Sequence, residues 1–107
     1  VMLCDLQIDK AQALAAELGP DAAAFELDVR DLDQWHKAVA ATVARFGKLT
    51  VLCNIAGISE PGNVVDGTLD VWQRTIDINL NGPYYGMRAA IPAMEASGEP
   101  CAIVNIG

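Results

Sequence analysis

Positive charge is scarce in this sequence: 7 Lys and Arg residues stand against 14 Asp and Glu, a formal net charge of -7. With no basic run, little here can neutralise phosphates at useful density, which excludes nucleic acid and anionic membrane surfaces as main partners. Long apolar runs are missing too. No stretch approaches the ~18 to 20 continuous apolar residues of a membrane span, and no basic-then-apolar leader precedes the first strand-like run. The expectation is a soluble, cytoplasmic protein. Histidine occurs once and cysteine three times. Cys4, Cys53 and Cys101 each sit inside an apolar strand-like run, with no C-x-x-C and no His at ligand spacing. They read as packing thiols and not as a metal site. The lone His36 neighbours Trp35 on a helical stretch without an acid or Cys pattern, and reads as a solvated helix residue.

What is present suits one domain, since 107 residues with 52% hydrophobic content can bury a core. "VMLCD" reads as a strand. "DKAQALAAELGP" reads as a helix with Asp9 as N-cap, an apolar stripe at Ala11, Leu14, Ala15 and Leu18, and Gly19-Pro20 as its stop. "AAFELDV" is a second strand, and Asp31 caps a helix whose Leu32, Trp35, Val39, Val43 and Phe46 recur at helical spacing before Gly47. "LTVLCNIAG" is a third strand and "ISEPGNVVDG" a loop. Thr68 caps a long helix to about Ala96, and "CAIVNIG" is a fourth strand. Apolar strands alternating with helices predict an α/β fold, a parallel sheet with helices on both faces.

Few residues can carry chemistry. Asp5 closes the first strand, where an acid can accept hydrogen bonds from both hydroxyls of an adenosine ribose and repel a 2′-phosphate; capping the strand end is the plainer alternative. Asp28-Val29 ends the second strand, beside a base edge or simply at a turn. Small residues in "NIAG", Asn54 to Gly57, suit a backbone passing close to a nucleotide, and equally a tight strand-to-loop turn. On the long helix Trp72, Ile76, Leu80, Pro83, Met87, Ile91 and Met94 fall on one side, with Asn79 in the same stripe. A buried amide costs about 1 kcal/mol or more unless hydrogen-bonded, so Asn79 needs a structural partner or a function. Pro83 has no N–H to give to the carbonyl of Asn79, which leaves that carbonyl for water or a ligand, or kinks the helix. The Y-x-x-x-R pair Tyr84 and Arg88 is a decoy, because Arg does not share the proton chemistry of Lys.

Asp5, Asp28-Val29, "NIAG", "INLNG" and "IVNIG", in this order and spacing, resemble the central part of a classical short-chain dehydrogenase/reductase, with "FGKLTVLCNIAG" especially typical. Ile55 and Thr50 depart mildly, standing where Asn and Asp are common. The resemblance covers the whole chain and implies a partial Rossmann-like, dinucleotide-binding domain over residues 1–107. It corresponds to the family's second to fifth strands. It implies NAD as cofactor, with NADP disfavoured by Asp5, adenine bordered by Asp28 and Val29, and Asn54, Ala56 and Gly57 passing beneath the dinucleotide. Asn79 matches the catalytic Asn whose backbone carbonyl holds a water in the proton relay.

The same resemblance puts the family's catalytic Ser, Tyr and Lys beyond Gly107, and its first strand and glycine-rich turn before Val1. The expectation is therefore an internal fragment of an oxidoreductase that moves hydride between nicotinamide and an alcohol or ketone carbon, inactive by itself. A homo-oligomer through the Thr68 to Ala96 helix is implied, with a small-molecule substrate. In the family's strand order the missing strand is central, so the first and third strands of this chain are expected to flank an unfilled position; two unpaired central edges are costly, so a chain folding alone is expected to rearrange its sheet, borrow a strand from another chain or reassemble as an oligomer. A non-catalytic assembly module derived from a truncated dehydrogenase is the alternative. Another adenosine cofactor, such as a methyl donor, fits "NIAG" and Asn79 less well.

Overall fold

A computed structural model describes all residues, Val1 to Gly107. The order is β1 (Met2–Asp5), α1 (Ile8–Leu18), β2 (Ala23–Glu26), α2 (Leu32–Phe46), β3 (Val51–Asn54), α3 (Leu69–Ile76), a π-helical turn (Asp77–Asn81), α4 (Gly82–Ala96) and β4 (Ala102–Asn105). The α/β alternation read from the sequence holds. Strand β1 pairs in parallel with β2, from Met2 opposite Ala23 to Asp5 opposite Glu26. Strand β3 pairs in parallel with β4, from Val51 opposite Ala102 to Asn54 opposite Asn105. No ladder joins β1 to β3, so the two parallel pairs form separate sheets. The two pairs stand apart, as the resemblance implied, and the rearranged sheet expected of a chain folding alone is not seen. The radius of gyration is 15.1 Å, against about 13 Å for a compact chain of this length.

Helix ends follow their local chemistry. Asp31 accepts from the Gln34 N–H at 3.1 Å and caps α2, and Gly47 closes it at φ 85°, a left-handed conformation that glycine adopts without strain. Thr68 caps α3 through the Val71 N–H. Helix α1 differs from expectation. It begins after Gln7, and Asp9 lies in its first turn. The Gln7 N–H is instead taken by the Asp5 carboxylate at 2.7 Å. Ala11 and Ala15 of the expected stripe are buried, whereas Leu14 and Leu18 are exposed.

The core is one cluster: Leu27, Trp35, Ala38, Leu52, Ala89, Ala90 and Met94. Here the long helix departs most from its sequence reading. Trp72, Leu80 and Ile91 are exposed, and Ile76, Pro83 and Met87 only half-buried. The buried face of α4 is Gly82, Gly86, Ala89, Ala90 and Met94. Two causes combine. The π turn, marked by the Gly82 N–H bonding to the Asp77 carbonyl, holds an extra residue, which rotates everything after it by about 100° relative to an unbroken α-helix. Small residues also let α4 approach its neighbours more closely than large ones would. A Cβ at Gly86 would lie 2.6 Å from Asn54 Oδ1 and 2.9 Å from Trp35 Cη2, and one at Gly82 would lie 3.0 Å from Val29 Cγ2.

Strand β3 alternates, with Leu52 and Asn54 buried and Val51 and Cys53 exposed. All three cysteines, expected to be packed, are free and exposed. Burial around its sulfur still pushes the Cys4 thiol up to about 11, so it is neutral at physiological pH.

Replacing Gly86 by Ala is expected to lower unfolding stability by about 1–3 kcal/mol, the usual cost of forcing atoms into a filled space. Gly62→Ala, whose Cβ would meet nothing nearer than 3.9 Å, should be close to neutral. Urea unfolding of both variants checks the contrast.

Candidate functional site

The C-terminal ends of the strands carry every residue singled out from the sequence except Asn79, which reaches the same region from the π turn. At the end of β1, Asp5 is exposed. Its Oδ1 accepts from Gln7, while Oδ2 has no partner within the chain. The Asp5 carbonyl accepts from the Leu27 N–H at 3.1 Å and ties β1 to the turn after β2.

In that turn Asp28 is half-buried and gripped by Arg30. Arg30 Nε lies 2.9 Å from Oδ1, and Nη2 lies 2.6 Å from Oδ2. The Arg30 guanidinium, hydrogen-bonded to the carboxyl, holds Asp28 below the usual carboxylate range against a smaller opposing effect of burial. Val29 packs on Gly82, and its carbonyl accepts from the Trp35 indole at 3.0 Å.

Asn54 is the buried polar residue of the core, 6% exposed. Its Nδ2 donates to Asn105 Oδ1 at 2.8 Å, joining the ends of β3 and β4. Its side chain is thus engaged within the fold. Beyond it, Ala56 and Gly57 are exposed. The next residue, Ile58, is clamped at both backbone groups by one side chain: its N–H donates to Asn79 Oδ1 at 2.8 Å, and its carbonyl accepts from Asn79 Nδ2 at 2.7 Å.

Asn79 was expected on a buried face with either a structural partner or a function. The structure shows it exposed, with the partner identified as the Ile58 backbone. Because that clamp occupies the amide, any further chemistry at this residue falls to its backbone. Five residues before Asn79, Arg74 forms an ion pair with Glu60 and fastens the same loop a second time. Across the π turn, Asp77 Oδ1 accepts from Gln73 and Asn81 at 2.9 and 3.0 Å.

Contacts connect most of these pieces. Asp5 reaches Leu27, Val29 reaches Gly82 and Trp35, Trp35 meets Gly86, and Gly86 meets Asn54. The Asn79 amide lies beside Gly57, 3.4 Å from where a Cβ there would sit. Three participants escaped the sequence reading. Trp35 was read only as an apolar helix residue. Asn105 had a visible signal, a polar residue ending an otherwise apolar strand as Asn54 does. Arg30 had one too, a cation two residues after the turn acid. The Tyr84 and Arg88 pair forms only a helix-surface hydrogen bond of 3.2 Å.

No group of three or more His, Cys, Asp or Glu side chains converges as a metal site would require. No helix is long and apolar enough to cross a membrane.

Comparison with known proteins gives a consistent assignment. A family model described as enoyl-(acyl carrier protein) reductase matches residues 1–107. The chain is 46% identical to trans-4-hydroxycyclohexanecarboxylate dehydrogenase of Sinomonas cyclohexanicum, over 99% of this chain and 44% of that protein. It is 41% identical to 3-alpha-(or 20-beta)-hydroxysteroid dehydrogenase of Mycobacterium tuberculosis, over 99% of this chain and 40% of that one. The crystal structure of a short-chain dehydrogenase/reductase, a glucose/ribitol dehydrogenase from Brucella melitensis, superposes with a TM-score of 0.82 at 35% identity, covering 86% of this chain and 40% of that one. The chain thus spans about two-fifths of the length of the relatives it matches. The family model, the relatives and the structural match agree: this chain belongs to the short-chain dehydrogenase/reductase family of oxidoreductases.

Proposed function

We propose that the whole protein containing these residues is an NAD(H)-dependent dehydrogenase that interconverts a secondary alcohol and its ketone, and that these residues form much of its dinucleotide site. The observation that carries this reading is the clamp of Asn79 on Ile58. It ties the loop after β3 to the helix turn whose Pro83 has no N–H to offer the Asn79 carbonyl. The strand-end location supports it, since open α/β sheets bind ligands beyond the carboxyl ends of their strands.

The residues fit such a cofactor. Asp5 presents an unpartnered carboxylate oxygen to solvent, suited to ribose hydroxyls and unsuited to a 2′-phosphate. Asp28 and Val29 border the adenine, and Ala56 and Gly57 offer an exposed backbone with little side chain in the way. The nicotinamide, when bound, supplies the hydride acceptor or donor. Asn54 holds β3 against β4 and thereby aims the loop that follows. The backbone carbonyl of Asn79 orders a water for proton transfer, while the acid/base group itself comes from residues outside these 107.

Two of the relatives are named for a hydroxycyclohexane acid and a hydroxysteroid. A hydroxyl on a carbocyclic ring is the substrate class this favours. Exposed Trp72, Leu80, Tyr84 and Ile91 along one helical run favour a homo-oligomer through that helix. The assembly-module alternative draws on this apolar surface too, but it leaves the strand-end residues without a role.

Three outcomes follow in the whole protein. Asp5→Ser should weaken NADH binding about 10-fold, as expected for losing a hydrogen-bonding charge, and narrow the preference over NADPH. Fluorescence titration with both cofactors measures this. Asn79→Ala should lower kcat by about 100-fold, the order expected when a reacting geometry is misplaced, with a much smaller change in NADH affinity. Equal losses in steady-state turnover and cofactor titration would remove Asn79 from the relay. Trp72→Glu combined with Leu80→Glu should reduce the native mass measured by light scattering.

A further inference from the structure

Asp77 stands where the helix changes its winding, and its hydrogen bonds reach to both sides of the change. Its N–H is shared between the carbonyls of Gln73 and Arg74, in the α-helical turn before the break. Its carbonyl accepts from the Gly82 N–H across the π turn. The carboxylate does the same in both directions: Oδ1 accepts from Gln73 Nε2 at 2.9 Å and from Asn81 Nδ2 at 3.0 Å.

The bond to Asn81 runs beside the bond to Gly82, so the side chain and the backbone of one residue both close the widened turn. Asn79 lies at its middle, two residues after Asp77 and two before Asn81. The Asn79 amide is committed to Ile58, which directs that side chain toward the loop after β3. Its backbone carbonyl is set by the turn instead, because Pro83 has no N–H to hold it. A π turn is rare where ordinary α winding competes with it, so a residue that closes it twice has a positional effect.

Stability gives this arrangement a small return. Gln73 is exposed, Asp77 and Asn81 are half-buried, and side-chain pairs four apart on a helix surface add little to folding. The charge of Asp77 is not matched either. It takes part in no ion pair, and it exerts only a weak attraction on Arg30, which Asp28 already grips. Both hydrogen bonds fall on Oδ1, while Oδ2 accepts none within the chain.

Resting on the proton-relay reading above, we propose that Asp77 is a positioning residue for the reaction: by accepting from Asn81 across the π turn it holds the turn open and aims the Asn79 carbonyl at the relay water. Asp77 acts through the backbone of Asn79 and touches no reacting atom. What the role requires is an acceptor at Oδ1 and not a negative charge. An asparagine side chain supplies the same acceptor, since its carbonyl oxygen has two lone pairs for Gln73 and Asn81.

The test is made in the whole protein with Asp77→Ala, Asp77→Asn and Asn81→Ala. Asp77→Ala should lower kcat about 10-fold, less than a full misplacement of the reacting geometry costs, and leave NADH affinity within about twofold by fluorescence titration. Its solvent deuterium isotope effect on kcat should rise, because proton transfer becomes the slower step. Amide exchange of the Asp77–Gly82 segment, followed by mass spectrometry, should quicken by about 10-fold. Asp77→Asn, the conservative replacement, should restore both kcat and slow exchange to within about twofold. Asn81→Ala removes the same bond from its other end and should reproduce the Asp77→Ala losses; it stands in for that variant if thermal melting shows it unfolded. An unchanged kcat in Asp77→Ala would overturn the proposal, as would equal losses of kcat and NADH affinity. So would an Asp77→Asn variant as slow as Asp77→Ala, which would make the charge the active feature. Asn79→Ala, measured alongside, separates the two layers. If it slows turnover while Asp77→Ala does not, the Asp77 role alone fails; if neither slows turnover, the relay reading falls with it.

Discussion

The close approach of α4 to Trp35 and Asn54, through a face of glycine and alanine, is the contact on which the rest of this structure depends. With the two strand pairs forming separate sheets, no hydrogen-bonded ladder holds the halves together. Side-chain packing does. Trp35 reaches from α2 to the Val29 carbonyl with its indole nitrogen and to Gly86 with its ring edge. Asn54 is buried at the same point and ties β3 to β4. A helix with larger residues at positions 82 and 86 would stand farther off, and the turn after β2 would lose contact with the end of β3. Tight packing of this kind tolerates little change in volume.

From that contact the candidate site acquires its shape. Val29 is pressed against Gly82 where the π turn ends, so the turn carrying Asp28 and the helix carrying Asn79 are placed by the same packing. The π turn in turn lets the helix present Asn79 to the Ile58 backbone while α4 keeps its small-residue face toward the core. Widened turns of this type recur at functional sites. Arg74 and Glu60 add a second attachment to the same loop. Charge is distributed accordingly: acids at the strand ends are either open to solvent, as Asp5 is, or matched by a cation, as Asp28 is by Arg30.

Much of the fold was legible in the residues. The Asp31 and Thr68 caps and the Gly47 stop are local chemistry, set within one helical turn, and each appears where the spacing put it. The strands were legible because short apolar runs bounded by turn residues have few alternatives between helices. The buried face of α4 was not. Projecting one helical period from Trp72 to Met94 assumes an unbroken α-helix, and the π turn shifts the phase midway. Asn79 and Trp72 are exposed for a different reason: they precede the shifted part of the helix, and α3 buries none of its residues. Burial of Leu14 and Leu18 was likewise read from periodicity, which reports a face but not whether anything lies against it.

The sequence by itself determined the class of the fold, the helix ends, and the strand-end positions of Asp5, Asp28, Val29, Asn54, Ala56 and Gly57. These follow from local hydrogen-bonding chemistry and from alternating apolar runs, which need no knowledge of distant neighbours. Only the tertiary structure decided that Asn79 spends its amide on Ile58, that Arg30 holds the Asp28 carboxylate, and that the buried face of α4 is mostly glycine and alanine, with Met94 at its end. Those outcomes depend on where the chain returns in space, and on a phase shift at the π turn, where Pro83 offers no N–H.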